Sequence, residues 1–193
     1  MGNRMVIKLL REGHQVVVWN RSSSKVEELK FKIQNSKFKN TIQNLKVSKS
    51  IEDLIANLEK PAIIWSMLPA RSGLSPSGRS DSAESSGSKR SKTGDPTQEI
   101  LDEVEKYVSR DDIIVDGGNA YFEDTQRRFD YFNSKGVKFL GIGVSGGLIA
   151  AKEGYPLMVG GSEDGYEVIK PILDSLAKPR GGHEYFGEGG AGH

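Results

Sequence analysis

The chain has 193 residues, 36% of them hydrophobic, which suffices for one well-buried core. Lysine and arginine number 27 against 26 aspartates and glutamates, so a formal charge of +1 provides no overall attraction to nucleic acid or an anionic membrane. Cysteine is absent, the three histidines are scattered, and no apolar run approaches the roughly 20 residues that span a bilayer; this excludes a disulfide framework, a thiol nucleophile and zinc-like spacing.

The composition reads as that of a cytoplasmic protein with no metal, membrane or nucleic-acid partner, in which a charged ligand must be held locally. Residues 2–12 predict a helix, with Val6, Leu9 and Leu10 on one face and Gly13 as its stop. The run from Gln15 to Asn20 predicts a strand, and Ser22-Ser23-Ser24 caps a helix that turns Val26 and Leu29 inward. A short helix over Ser48–Leu58 follows, with Ile51, Leu54 and Ile55 on one face, then a strand from Ala62 to Met67 that Leu68-Pro69-Ala70 closes. Helix, strand, helix is an α/β rhythm.

Residues 71–97 break that rhythm. They are rich in serine, glycine and lysine as far as Asp95-Pro96, with one leucine and no aromatic, too little apolar surface to offset the entropy of ordering. A disordered insertion is expected there, and Lys89-Arg90-Ser91-Lys92 within it reads as a solvated run. A helix over Thr97–Val108 turns Ile100, Leu101 and Val104 inward.

The strand Ile113-Ile114-Val115 then runs into Asp116-Gly117-Gly118-Asn119. In open α/β sheets ligands bind beyond the carboxyl ends of strands, and here that end offers two peptides without Cβ and an amide that both donates and accepts. Asp116 is expected to cap or brace the glycine turn rather than to act as a base. After a helix reaching Lys135, a second strand ends alike, in Gly143-Val144-Ser145-Gly146-Gly147, so that Asn119 and Ser145 share one rim suited to a polyhydroxylated or anionic ligand. A strand over Pro156–Val159 and a helix over Ser162–Leu176 complete the predicted elements. His14 and His183 have no carboxylate at telling spacing and are expected to be structural or exposed; read alone, Gly187–Gly192 with His193 is a flexible tail.

Five motifs in order, Asn20-Arg21-Ser22, Asp116-Gly117-Gly118-Asn119, Gly143-Val144-Ser145-Gly146-Gly147, Leu157-Met158-Val159-Gly160-Gly161 and Gly189-Gly190-Ala191-Gly192-His193, resemble those of the 6-phosphogluconate dehydrogenases. These are decarboxylating NADP- or NAD-dependent enzymes of the pentose phosphate pathway, and the resemblance covers nearly the whole chain. It implies a Rossmann-like, doubly wound, mainly parallel sheet over 1–186, with 187–193 beginning a helical substrate domain. Met1-Gly2-Asn3 is similar to the last part of the family's glycine-rich turn, so the sheet is expected to lack its first, central strand and to leave two inner edges unpaired.

For cofactor binding the resemblance implies Gly2 and Asn3 at the pyrophosphate, Asn20, Arg21 and Ser22 at the 2′-phosphate of NADP, Leu68, Pro69 and Ala70 along the cofactor, and Asn119 between cofactor and substrate. Asn119, Ser145, Gly146 and Gly147 would bind 6-phosphogluconate. The family's proton-transfer lysine and glutamate are expected beyond His193, leaving no catalytic residue here, and its homodimer contacts belong to the helical domain. Two other readings stand beside this one. One is another β-hydroxyacid dehydrogenase, although the 3-hydroxyisobutyrate type carries Asp-x-Ser-Thr where this chain has Asp116 to Asn119; the other is a non-catalytic Rossmann-like fragment or interaction module.

Overall fold

The computed structural model describes residues 1–68, 95–179 and 181–193. Helix α1 (Gly2–Arg11) sends its apolar side chains to two places, Met5 into one core and Leu10 into another, and Gly13 at φ 91 ends it as predicted. Strand β1 (Val16–Val18) pairs in parallel with β2 (Leu45–Val47) through α2 (Ser23–Gln34) and a 3-10 turn at Lys39–Asn44. Leu10, Leu29 and Ile33 fill the small core beneath this two-stranded sheet.

A second sheet has five strands in chain order: β3 (Ile63–Ser66), β4 (Ile113–Asp116), β5 (Lys138–Val144), β6 (Leu157–Gly161) and β7 (His183–Gly187). Neighbours run parallel except β5 and β6. Helices α3 (Ile51–Ala56), α4 (Pro96–Val104) and α5 (Phe122–Ser134) pack Ile55, Leu101 and Phe132 on one face against Ile64, Ile114 and Phe139. On the other face α1, α6 (Ala150–Glu153) and α7 (Glu163–Leu176) bring Met5, Ala150, Ile169 and Leu173 against Ile113, Val115, Leu140 and Val159. Strand β4 is buried on both faces, which is why it is written as an unbroken β-branched run instead of an alternating one.

The doubly wound, mainly parallel sheet is therefore as expected, and so is its break. Among the described residues strand β1 pairs only with β2 and β3 only with β4, and both are half-buried where β4 is fully buried. Three expectations need correction. Strands β2 and β7 were not foreseen. Residues 95–97, placed at the end of a disordered insertion, are ordered: Asp95 caps α4 by accepting from the N–H of Thr97 and Gln98 at 3.1 and 3.2 Å, with Pro96 in the first turn. The rest of that insertion lies outside the described residues, apart from this boundary.

The third correction concerns the glycine tail. Residues 188–193 fold back over β5 and β6: the Gly143 N–H donates to the Gly192 carbonyl at 3.0 Å, and Gly189, Gly190 and Gly192 are buried. A Cβ built on Gly192 would lie 2.2 Å from the Gly141 carbonyl oxygen, and one on Gly160 would lie 2.3 Å from the Gly192 nitrogen, so backbone rests on backbone. Among the described residues no helix is long and apolar enough to cross a membrane, and no group of three or more histidines or carboxylates is placed to hold a metal.

Candidate functional site

The candidate residues all follow the carboxyl ends of parallel strands or open α1, and a series of contacts links most of them around that edge. Gly2 lies beside Met67, just past β3, where an added Cβ would sit 3.5 Å from the Met67 Cβ. The first turn of α1 has no side-chain cap and no acidic residue, so its free N–H groups and the positive end of the helix dipole remain available to an anion. Leu68, next along, lays its carbonyl on the glycine turn: a Cβ on Gly118 would come within 2.8 Å of it. Pro69 and Ala70 lie outside the described residues.

The turn after β4 is held from beneath. Asp116, fully buried, accepts from the Gly118 N–H at 3.1 Å and from Arg128 at 3.1 Å. Arg128, itself 4% exposed, donates also to Asp95 at 2.9 Å, so the cap of α4 and the turn after β4 share one guanidinium. Asp116 thus braces the turn through its bonds to the Gly118 N–H and to Arg128. Gly117 admits no side chain, since a Cβ would lie 2.4 Å from Trp65 Nε1 and 2.8 Å from Met67 Sδ. Beyond this support Asn119 stands exposed.

At the end of β1, Asn20 Oδ1 accepts from the Ser22 N–H at 2.9 Å, an Asx turn that fixes the backbone and spends one side of the amide. Ser22 occupies the N-cap position of α2 without a side-chain cap bond; its hydroxyl lies 2.8 Å from that of Ser24 instead. The capping role read from the serine run is therefore not performed, and α2, like α1, keeps an uncapped first turn with no acidic residue. Arg21 is exposed, and its Nη2 donates to Glu99 Oε2 of α4 at 3.2 Å. No acidic side chain stands on the β1 exit itself, where one would favour the ribose hydroxyls of NAD.

Strand β5 continues three residues past the register partner of Asp116, Gly141, which brings Ser145 to the same edge as Asn119. Ser145 is exposed, but its N–H is spent on the Pro156 carbonyl at 3.1 Å, leaving the hydroxyl and the turn of Gly146 and Gly147, at φ 99 and 51, as the available polar groups. A shallow cavity of 340 Å³ lies behind this turn, lined by Gly146, Ile149, Ala150, Glu153, Gly154, Pro156 and Lys178. His193 does not join the rim: its Nδ1 lies 2.8 Å from Thr125 Oγ1, its Nε2 is buried without a partner, and burial pulls its pKa below the usual value despite the nearby Asp116 charge. His14 and His183 are likewise structural, bonded to Ser175 at 2.7 Å and to Asp174 and Tyr166 at 2.9 and 3.1 Å.

Glu99 and Arg128 were missed in the sequence. The pattern Asp95-Pro96-Thr97-Gln98, an N-cap with proline at the first helical position and a glutamine at the third, would have placed the start of α4 and brought Glu99 into its first turn. Nothing in the sequence pairs Arg21 with a residue 78 positions away.

A doubly wound parallel sheet with uncapped helix N-termini at its carboxyl edge, a basic residue after one strand and a glycine turn after another is a dinucleotide-binding, Rossmann-like architecture. The sequence matches the family described as the NAD binding domain of 6-phosphogluconate dehydrogenase over residues 1–77 and 91–187, and the chain belongs to that family. Over its full length it is 34% identical to the NADP(+)-dependent, decarboxylating 6-phosphogluconate dehydrogenase of Bacillus subtilis and 31% identical to the NAD(+)-dependent one of the same organism. It covers 35% and 36% of those two proteins, about a third of the length of the relatives it matches. Among solved structures, 6-phosphogluconate dehydrogenase of Plasmodium falciparum superposes on the whole chain with a TM-score of 0.75 at 26% identity, 36% of that chain being covered. The 3-hydroxyisobutyrate dehydrogenase of Mycobacterium tuberculosis, at 20% identity and a TM-score of 0.71 over the whole chain and 53% of its own, shares the fold.

Proposed function

We propose that this chain is the NADP-binding part of a 6-phosphogluconate dehydrogenase, an enzyme that oxidises 6-phosphogluconate at C3, releases CO2 and yields ribulose 5-phosphate. The observation that carries the reading is Arg21 at the β1 exit, with no acidic residue on that exit, on the same edge as the uncapped first turn of α1. Arg21 would meet the 2′-phosphate with Asn20 and Ser22 beside it, Gly2 and Asn3 the pyrophosphate, and Leu68 the path between. Pro69 and Ala70 would continue that path. Asn119 would touch cofactor and sugar acid together, and the Ser145 hydroxyl with Gly146 and Gly147 would orient the substrate. These groups fit an anionic dinucleotide, because the uncapped first turn of α1 and the Arg21 guanidinium both lie on the carboxyl edge, beside a glycine turn packed too closely on Trp65, Met67 and Leu68 to admit a Cβ.

A bound nicotinamide would supply the hydride acceptor. The described rim supplies position rather than proton transfer, since Asn119 and Ser145 are not bases near neutral pH and His193, half-buried, is bonded to Thr125 away from the rim. Family relatives use either cofactor by name, NADP(+) in one and NAD(+) in another, and it is the Arg21 exit that favours NADP for this chain. A cytoplasmic location, and a homodimer for full-length members of the family, fit the same reading.

Titrating NADP and NAD against the protein and its Arg21→Ala variant tests it. A charge-assisted contact contributes about 1.5–3 kcal/mol, so NADP affinity is expected to fall roughly tenfold to a hundredfold while NAD affinity barely moves. Equal affinities for both cofactors in both proteins would sink the assignment.

A further inference from the structure

Arg21 is not waiting free for a phosphate. Its Nη2 donates to Glu99 Oε2 at 3.2 Å, a contact between the β1 exit and the first turn of α4 that spans 78 residues. Glu99 is held in that place for two reasons. A carboxylate in the first turn of a helix is favoured by the helix dipole. The turn itself is pinned, because Asp95, which caps it, is bound to Arg128 at 2.9 Å, and Arg128 is bound in turn to the fully buried Asp116. The backbone that carries Glu99 is thus fixed by this bridge, while the Glu99 side chain itself lies at the surface.

The contact uses one of the five N–H donors of the guanidinium, so it competes with an incoming anion without saturating the arginine. Both side chains are well exposed, 69% for Arg21 and 48% for Glu99, which limits what the pair is worth. Its effect is to weaken an arginine–phosphate contact and not to abolish it. A cofactor that lacks the 2′-phosphate gains nothing from Arg21 and loses nothing to Glu99.

We propose that Glu99 is a specificity-determining residue: it competes with the 2′-phosphate for Arg21 and so holds the preference for NADP over NAD below what Arg21 alone would give. This rests on the placement of Arg21 at the 2′-phosphate. Glu99 acts through Arg21 and is a positioning residue, not a catalytic one.

The test is a titration of 2′,5′-ADP and 5′-ADP followed by NMR, which reads dissociation constants into the millimolar range, with the Arg21 side-chain Nε–Hε signal as reporter. Glu99→Gln is expected to tighten 2′,5′-ADP about twofold to fivefold and to leave 5′-ADP unchanged. Glu99→Asp should stay near the parent protein, and Arg21→Ala/Glu99→Gln should bind no better than Arg21→Ala. Glu103→Gln, one turn further along α4, removes the same charge without facing Arg21 and is expected to leave the ratio of the two affinities as it was.

Several results would overturn the proposal: an unchanged ratio in Glu99→Gln, an equal gain for both ligands, a matching gain from Glu103→Gln, or a gain that survives loss of Arg21. If Arg21→Ala weakens 2′,5′-ADP but Glu99→Gln does nothing to the ratio, Glu99 falls and the reading of Arg21 stands. If 2′,5′-ADP leaves the Arg21 signal unmoved in every protein that keeps Arg21, both fall together.

Discussion

The Asp112 carboxylate, 1% exposed, accepts hydrogen bonds from the N–H groups of Ala62 and Ser109, both at 2.8 Å, from the Ser109 hydroxyl at 3.1 Å and from Lys60. It joins the start of β3 to the start of β4, at the end of the sheet away from the candidate site. Burial alone would raise its pKa, but the bonds from Lys60, Ser109 and Ala62 outweigh burial and hold it below the usual value. A carboxylate depressed in the folded state adds stability that is complete above the unfolded value of about 3.9 and is lost as pH falls through the lower folded value. Removing the acceptor strands two backbone donors, so Asp112→Ala is expected to cost about 2–4 kcal/mol in urea unfolding at pH 7, with a smaller penalty below about pH 3. A variant as stable as the parent at pH 7 would show that water replaces the carboxylate. None of this was legible in the sequence, where Asp112 is one acid in a polar turn. The placement of Arg21, Asn119 and Ser145 was legible because it follows strand ends, whereas the Glu99 and Arg128 partners lie across the fold from sequence neighbours that say nothing of them.

Elements were legible in proportion to how much apolar surface they own. Strand β4, buried on both faces, and α7, with Ser162 accepting from the Gly165 N–H at 3.2 Å and Ile169, Leu173 and Leu176 inside, state themselves. Strands β2 and β7, three residues and five residues long, are half exposed and owe their existence to a partner, so their composition carries little of their structure. The tail at 188–193 is the extreme case, a run that reads as unstructured and is fixed by a sheet it does not join. His193 is its anchor, with burial depressing the imidazole pKa, the Asp116 charge working against that shift and the Arg128 charge with it. A histidine depressed in the folded state favours folding above its unfolded value of about 6.5, and that contribution fades as pH falls through the lower folded value. Hydrogen exchange at Gly190 and Gly192, corrected for intrinsic rates, should therefore accelerate between pH 7 and pH 5 while that of α7 does not. Parallel behaviour of the two segments would remove His193 from that role.

For the whole molecule, the feature that matters is the break between the two sheets. Helix α1 crosses it, giving Met5 to the larger core and Leu10 to the smaller, while β1 and β3 each keep an edge without a strand partner among the described residues. Unpaired edge amides open without breaking the sheet, so the N–H groups of Val16–Val18 and Ile63–Ser66 not engaged by β2 or β4 are expected to exchange orders of magnitude faster than those of Ile114 and Leu140. Protection of the β3 edge equal to that of β4 would mean that the break is closed in solution.

The seam where Gly192 meets Gly141, Gly143 and Gly160 has a different consequence. Packing between side chains can be adjusted in steps, one methyl group added here and removed there, and stability drifts with each step. Where peptide lies on peptide there is no such step, because the smallest possible change, a single Cβ on Gly143, Gly160 or Gly192, already falls 2.2 to 2.5 Å from the opposing backbone. At these glycines the docking of the tail is therefore all-or-nothing, and whatever grading variation can achieve is left to the side chains that hold it, Thr125 with His193 and Gln126 at Gly190.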